Sequence, residues 1–108
     1  MTEVVEVNAK TVKLWIDNKQ ALLIDVREDN EVAQARIPSE TLHLPMSRFN
    51  PEKIPTEGIK NLVFICAQGI RSLQAAHYLL ENGFVTEAYN LTDGISGWVQ
   101  SGLPLNKG

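Results

Sequence analysis

Cys66 opens the stretch Cys66-Ala67-Gln68-Gly69-Ile70-Arg71-Ser72, and it is the only cysteine in the chain. Ahead of it, Leu62-Val63-Phe64-Ile65 is a short apolar run of strand character. After it, Leu73, Ala76, His77 and Leu80 recur at helical spacing. The chain must therefore turn from a buried strand into a helix within a few residues. Successive amides in such a turn converge into a nest of N–H donors at the positive end of the helix, and Gly69 supplies the backbone freedom the turn needs. The nest is a site for an anion, and the nearest one is the thiolate of Cys66 itself. Helix N-termini and nearby cations bring cysteine pKa values down to about 3.5 to 7.5. An ionised sulfur that takes the outer sulfur of a donor becomes Cys66–S–S⁻, whose terminal charge fits the same cradle. This chemistry calls for no metal and no organic cofactor. The competing account is an inert cysteine buried at a strand end. The strand terminus, the glycine in the turn and the Arg71-Ser72 helix opening together weigh for function.

The rest of the composition narrows the setting. A single thiol closes no internal disulfide and has no Cys-x-x-Cys partner, and His43 and His77 lie too far from it in sequence for zinc-ligand spacing. Thirteen acidic against ten basic residues, a net charge of −3, leave no cationic surplus for a phosphate backbone, so nucleic acid is not expected as a partner. The N-terminal Met1-Thr2-Glu3-Val4-Val5-Glu6 is acidic where a secretory signal is basic, and no apolar run approaches the ~20 residues that span a bilayer. The expected compartment is the cytoplasm, without membrane attachment. With 108 residues, 44% hydrophobic and 21% charged, and no repeat or linker, residues 1–108 read as one domain.

The elements that must position Cys66 follow from periodicity. Val4, Val5 and Val7 predict a first strand; Asn8 caps a helix with Val12, Trp15 and Ile16 on one face and Asn18 near its end. Leu22 to Val26 reads as a strand covered on both faces. Asp29 or Asn30 is expected to cap a short helix running through Arg36, stopped by Ile37-Pro38. Leu42-His43-Leu44 is a third strand, and residues 45 to 61 a loop with one helical turn around Ser47 to Phe49. Arg71 to Asn82 forms the helix after the cysteine, closed by Gly83. Ala88 to Leu91 is a last strand, and Asp93 caps a final helix bearing Ile95, Trp98 and Val99. Strands alternating with helices predict a parallel sheet.

With these residues in view, the chain resembles the rhodanese (thiosulfate sulfurtransferase) family over nearly its whole length. Ile24-Asp25-Val26-Arg27-Glu28 is similar to that family's Asp-Val-Arg-Glu motif, Cys66 to Ser72 fits its Cys-x-x-Gly-x-Arg-Ser loop, and Leu91 to Pro104 resembles its terminal segment. The resemblance implies a three-layer α/β/α domain with a five-stranded parallel sheet in the order 3-2-4-5-1 and helices on both faces. It places Asp25, Arg27 and the Cys66 loop at the crevice where the sheet order reverses. It makes Cys66 the persulfide-forming nucleophile, with the amides of Ala67, Gln68, Gly69, Ile70, Arg71 and Ser72 as its cradle and no metal or cofactor. The donor would be a small anion such as thiosulfate, or a protein persulfide; the acceptor would be cyanide or a thiol; the chain would be a monomer or weak homodimer.

Three departures from the family pattern bear on this. Ala35-Arg36-Ile37-Pro38-Ser39-Glu40 keeps only the Ile-Pro pair of Gly-His-Ile-Pro-Gly-Ala. Asp93-Gly94 stands where two glycines are usual, a harmless change because Asp tolerates left-handed geometry. Ala67 and Gln68 replace basic residues carried by some thiosulfate-using relatives, which predicts weak thiosulfate binding unless Arg71, with Arg27, Arg36 or Arg48, reaches the pocket.

Other candidates receive plainer readings. Asp25 and Arg27 are expected to brace the strand end as an ion pair more than to tune the pocket. His77 and His43 read as hydrogen-bonded core histidines, and Trp15 and Trp98 as core anchors. Glu28-Asp29-Asn30-Glu31 is a charged helix start, not a metal loop. A cysteine phosphatase or arsenate reductase places five residues between Cys and Arg, whereas Cys66 and Arg71 enclose four. A binding or regulatory module without turnover, and a sulfur carrier fed by another protein, remain open alternatives.

Overall fold

The structure, a computed structural model, describes residues 3–55, 58 and 60–107. Expectations touching Met1, Thr2, Thr56, Glu57, Ile59 and Gly108 lie outside the described residues. In chain order the elements are β1 (Val5–Val7), α1 (Ala9–Asp17), β2 (Ala21–Asp25), α2 (Asp29–Gln34), β3 (Ala35–Arg36), β4 (Thr41–His43), β5 (Asn61–Ile65), α3 (Ile70–Glu81), β6 (Tyr89–Leu91), α4 (Gly94–Gln100) and β7 (Asn106–Lys107). Short 3₁₀ turns at Met46–Arg48 and Pro51–Lys53 interrupt the long connection. The first lies one residue ahead of the expected turn. The second is held by Asn50, whose side chain accepts from the Glu52 amide at 3.0 Å.

The main sheet runs β4-β2-β5-β6-β1 with every pair parallel, which is the expected 3-2-4-5-1 order for its five strands. Strands β2 and β5 occupy its centre and are apolar on both faces, because parallel strands carry helices above and below. Their alternation sorts the core. Ile24 and Phe64 face one side with Ala75, Ala76 and Leu79 of α3. Leu23, Val63 and Ile65 face the other with Val12 of α1 and Trp98 of α4. Trp98 is 1% exposed and its indole N–H donates to Pro104 O at 2.8 Å, so it anchors the last helix as expected. Trp15 packs edge-on against Tyr89, with centroids 4.9 Å apart.

Several expectations require correction. Helix α2 ends at Gln34, not Arg36, because Ala35 is fully extended (φ −165°, ψ 142°) and Ala35–Arg36 pairs antiparallel with Asn106–Lys107. Neither Asp29 nor Asn30 caps that helix. Glu28 holds the cap position, and the Glu31 carboxylate reaches back to the Glu28 amide at 3.0 Å. On α3 the buried face is Ser72, Ala75, Ala76 and Leu79, so His77 is exposed and is not a core histidine. Two alanines let the helix settle close to the sheet, and that choice turns His77 outward. His43 does find a partner: its Nε2 lies 2.7 Å from Arg27 O. Asp93 adopts the left-handed conformation expected of it (φ 62°), yet its side chain makes no capping hydrogen bond, and Val99 on α4 is 51% exposed.

Candidate active site

Cys66 lies one residue beyond β5, at the point where the sheet order reverses between β2 and β5. Gly69 takes a left-handed φ of +87° as the residue before α3, and this bend brings the start of the helix back under the sulfur. The Gly69 amide donates to Cys66 Sγ at 3.1 Å and the Ser72 amide at 3.3 Å, while Ser72 Oγ lies 3.3 Å from the same sulfur. Of the other expected cradle residues, Gln68 also turns its amide toward the sulfur and helps to lower the thiol. Ala67, Ile70 and Arg71 make no hydrogen bond from their amides to the sulfur, whose backbone donors at hydrogen-bond distance are Gly69 and Ser72. Cys66 is 1% exposed and packs beside Val26, Leu44, Phe64 and Ala75, but its sulfur meets amides and not hydrocarbon alone. Burial pushes the thiol up; donors from Ser72, Gln68 and Gly69 outweigh it and leave the thiol below its ordinary value, the Ser72 hydroxyl adding to this only when its hydrogen points at the sulfur.

The loop is braced from behind by α4. The amides of Ile95 and Ser96 donate to the carbonyls of Cys66 (2.9 Å) and Ala67 (3.0 Å). This approach needs a glycine at position 94, where φ is +57° and an added Cβ would stand 2.3 Å from Cys66 O and 2.8 Å from Ala67 O. Gly94 is therefore a residue of the site, although it touches no substrate. Asn90 on β6 is a second residue that periodicity does not mark. It is 2% exposed, accepts from Ser72 Oγ at 2.6 Å and donates to Gly69 O at 3.1 Å. A polar residue inside a buried strand run must be hydrogen-bonded, and that alone marks Asn90 for scrutiny in Ala88-Tyr89-Asn90-Leu91.

The arginines resolve into pairs. Arg71 forms a two-pronged bond to Glu31 (2.8 and 2.9 Å), which holds the Glu31 carboxyl at about 2 and raises the Arg71 pKa further, while the guanidinium also interacts with Cys66. Arg48 bonds Asp29 at 3.0 Å, and the hydroxyl and amide of Ser47 hold the Glu28 carboxyl below its usual range. The acids of Glu28 to Glu31 thus go to three separate partners. Arg36 lines a cavity of ≈ 320 Å³ with Asp25, Ile37, Thr41, His43 and Asn106, and no residue of the Cys66 loop lines it. A larger cavity, ≈ 660 Å³, opens at the opposite ends of the strands near Lys60, Asn61 and Gly83 to Glu87, away from the cysteine.

Arg27 and Asp25 form a buried brace. Asp25 accepts from the Arg27 backbone amide (3.0 Å), Nε (3.0 Å) and Nη2 (2.8 Å), and Nη2 also donates to Ala35 O at 2.9 Å. The guanidinium is thereby committed to the β2 end and to the start of β3. Breaking a buried pair by deleting one partner leaves an uncompensated charge and costs about 3–5 kcal/mol. Asp25→Ala is expected to lose that much in urea unfolding, a large share of the ~5–15 kcal/mol available to a small domain; a loss under about 1 kcal/mol would mean the pair carries little.

An open parallel sheet with a helix-cradled lone cysteine at its reversal point defines the class, and the comparisons assign it. The chain belongs to the rhodanese family: residues 8–101 match the model of the rhodanese-like domain. It is 40% identical to the putative sulfurtransferase YtwF of Bacillus subtilis over 106 residues, covering 96% of this chain and 99% of that protein. It is 37% identical to a sulfurtransferase of Allochromatium vinosum, covering 82% and 81%. Identity to the thiosulfate sulfurtransferase GlpE of Actinobacillus pleuropneumoniae is 30%, covering 83% and 82%. A rhodanese-related protein from Thermoplasma volcanium superposes with a TM-score of 0.80 at 27% identity, covering 94% of this chain and 97% of that one. Among the described residues no helix is long and apolar enough to cross a membrane.

Proposed function

We propose that this chain transfers sulfane sulfur through a persulfide on Cys66, and that a thiol-borne persulfide serves it better than thiosulfate. The observation that carries the reading is the convergence of the Gly69 and Ser72 amides on one sulfur at the end of β5. In the first step the Cys66 thiolate attacks the outer sulfur of R–S–S⁻. The new S–S bond forms as the old one breaks, and the electron pair leaves on R–S⁻, giving Cys66–S–S⁻. In the second step cyanide or a thiolate takes that outer sulfur as thiocyanate or a new persulfide, and the pair returns to Cys66. No net redox change occurs and no cofactor takes part. Because Cys66 is nearly unexposed, the donor enters over the rim of the loop, where Gln68 and Ile70 are exposed.

The preference between donors follows from charge. Thiosulfate is a dianion, and of the four candidate arginines Arg71 is paired with Glu31, Arg48 with Asp29 and Arg27 with Asp25, while Arg36 lines a separate cavity. Neither Ala67 nor Gln68 adds a cation. A monoanionic persulfide asks less of the rim. The test is intact-protein mass after exposure to the persulfide of 2-mercaptoethanol, whose only charge is on the outer sulfur, or to thiosulfate, then after cyanide, with rates measured for each donor. The reading expects a one-sulfur gain that cyanide removes, formed faster with the persulfide. Glu31→Gln keeps the shape of the clamp while freeing the Arg71 charge, and should raise the thiosulfate-to-persulfide rate ratio about tenfold. No mass gain with either donor overturns the function; an unchanged ratio in Glu31→Gln overturns the charge argument.

A further inference from the structure

Ser72 Oγ stands between two groups that both accept hydrogen bonds, the Asn90 carbonyl oxygen at 2.6 Å and the Cys66 sulfur at 3.3 Å. A hydroxyl has one hydrogen to give. The orientation of Asn90 decides where it goes. Its Nδ2 faces Gly69 O at 3.1 Å and the Glu6 carboxylate at 3.0 and 3.1 Å, all acceptors, so the amino group must lie on that side and Oδ1 on the side of Ser72. Oδ1 carries no hydrogen, and at 2.6 Å the proton between the two oxygens can only be that of Ser72. Asn90 and Ser72 are 2% and 0% exposed, so no solvent competes for the position.

We infer that Asn90 is a positioning residue that keeps the Ser72 hydroxyl proton turned away from Cys66, so that negative charge on the sulfur falls to the loop amides. In this arrangement Ser72 Oγ offers the sulfur a lone pair. It accepts from the protonated thiol and opposes the thiolate, while the Gly69 and Ser72 amides favour the thiolate. The result is a sulfur that ionises less readily than its donor count implies. Once ionised it is a better nucleophile, since thiolate reactivity toward sulfur rises with basicity. The charged groups around it are Arg71 on α3, Glu31 on α2 clamping that arginine, and Glu6 on β1, which reaches the network only through Asn90 and is also bonded by Thr92 Oγ1 at 2.9 Å.

The functional consequence rests on Cys66 being the nucleophile, but the test does not require turnover. Alkylation of Cys66 by iodoacetamide as a function of pH reads thiol ionisation directly. Asn90→Leu, of similar shape and without an acceptor, releases the hydroxyl proton to the sulfur and should lower the alkylation midpoint by about one pH unit. In a Ser72→Ala background the same substitution should shift nothing. Ser72→Ala alone should not raise the midpoint, because the hydroxyl is not serving the sulfur. A rise of about one unit in Ser72→Ala, or an equal shift from Asn90→Leu in both backgrounds, overturns the inference. Should the buried leucine prevent folding, the Ser72→Ala profile decides by itself. Failure of sulfur uptake with these ionisation results intact would count against the proposed function alone.

Discussion

Cys66→Ser is expected to abolish sulfur uptake while leaving the chain folded. Serine fits the same space under the Gly69 and Ser72 amides, so the turn, the left-handed Gly69 and the helix start all persist. What disappears is the ionisable, polarisable atom. A hydroxyl is scarcely ionised at neutral pH and attacks a sulfane sulfur poorly, so uptake from any donor should fall by more than about a thousandfold. Intact mass after donor treatment is the direct measure, with thermal melting as the folding control. A variant that still gains one sulfur would place the carrier atom elsewhere, and with no second cysteine in the chain that result would remove the basis of the mechanism.

The second large effect is expected at Gly94, which touches no substrate. Its added methyl group would stand 2.3 Å from Cys66 O and 2.8 Å from the Ala67 carbonyl carbon and oxygen, and these are backbone atoms with nowhere to rotate. The positive φ adds strain for any L side chain. The loop must move off α4, and the bonds from Ile95 and Ser96 to the Cys66 and Ala67 carbonyls lengthen or break. Misplacement of a reacting group by about 1 Å costs on the order of a hundredfold in rate. Gly94→Ala should therefore lose at least that in sulfur uptake, together with about 2–3 kcal/mol of stability. Gly83→Ala provides the comparison: its φ is +76° but nothing lies within 4 Å, so it should cost about 1 kcal/mol and leave uptake unchanged. If the two variants behave alike, strain alone accounts for Gly94 and the contact with the loop is immaterial.

The two variants differ in how visible their targets are in the primary structure. Cys66 announces itself, since a lone cysteine between Leu62–Ile65 and a helical repeat, followed by a glycine, is a local pattern, and local patterns survive in sequence. Gly94 was visible as a glycine but not as a contact, because the atoms it must avoid lie 27 and 28 positions away in the chain. The same distance in sequence hid the pairing of Arg71 with Glu31 and the chain of bonds from Glu6 through Asn90 to Ser72. It also hid β3 and β7, two-residue strands too short to carry any alternation. The misassigned face of α3 has a related cause. Leu73, Ala76, His77 and Leu80 and the observed Ser72, Ala75, Ala76 and Leu79 both satisfy helical spacing, and the choice between them depends on how closely the helix meets the sheet.

From its amino-acid order alone the chain determines the five strands of the main sheet, the starts of α1, α3 and α4 to within a residue, and a cysteine set in a turn that suits an anion, because propensity, periodicity and glycine geometry act over a few neighbouring residues. Only the folded arrangement decides which amides meet the sulfur, where the proton of Ser72 goes, which carboxylate neutralises Arg71 and why position 94 admits no side chain. Those outcomes depend on strands β1, β2, β5 and β6 standing side by side in an order that sequence proximity does not specify. Hydrogen bonds and steric contacts act over a few ångströms of space, whatever the separation along the chain.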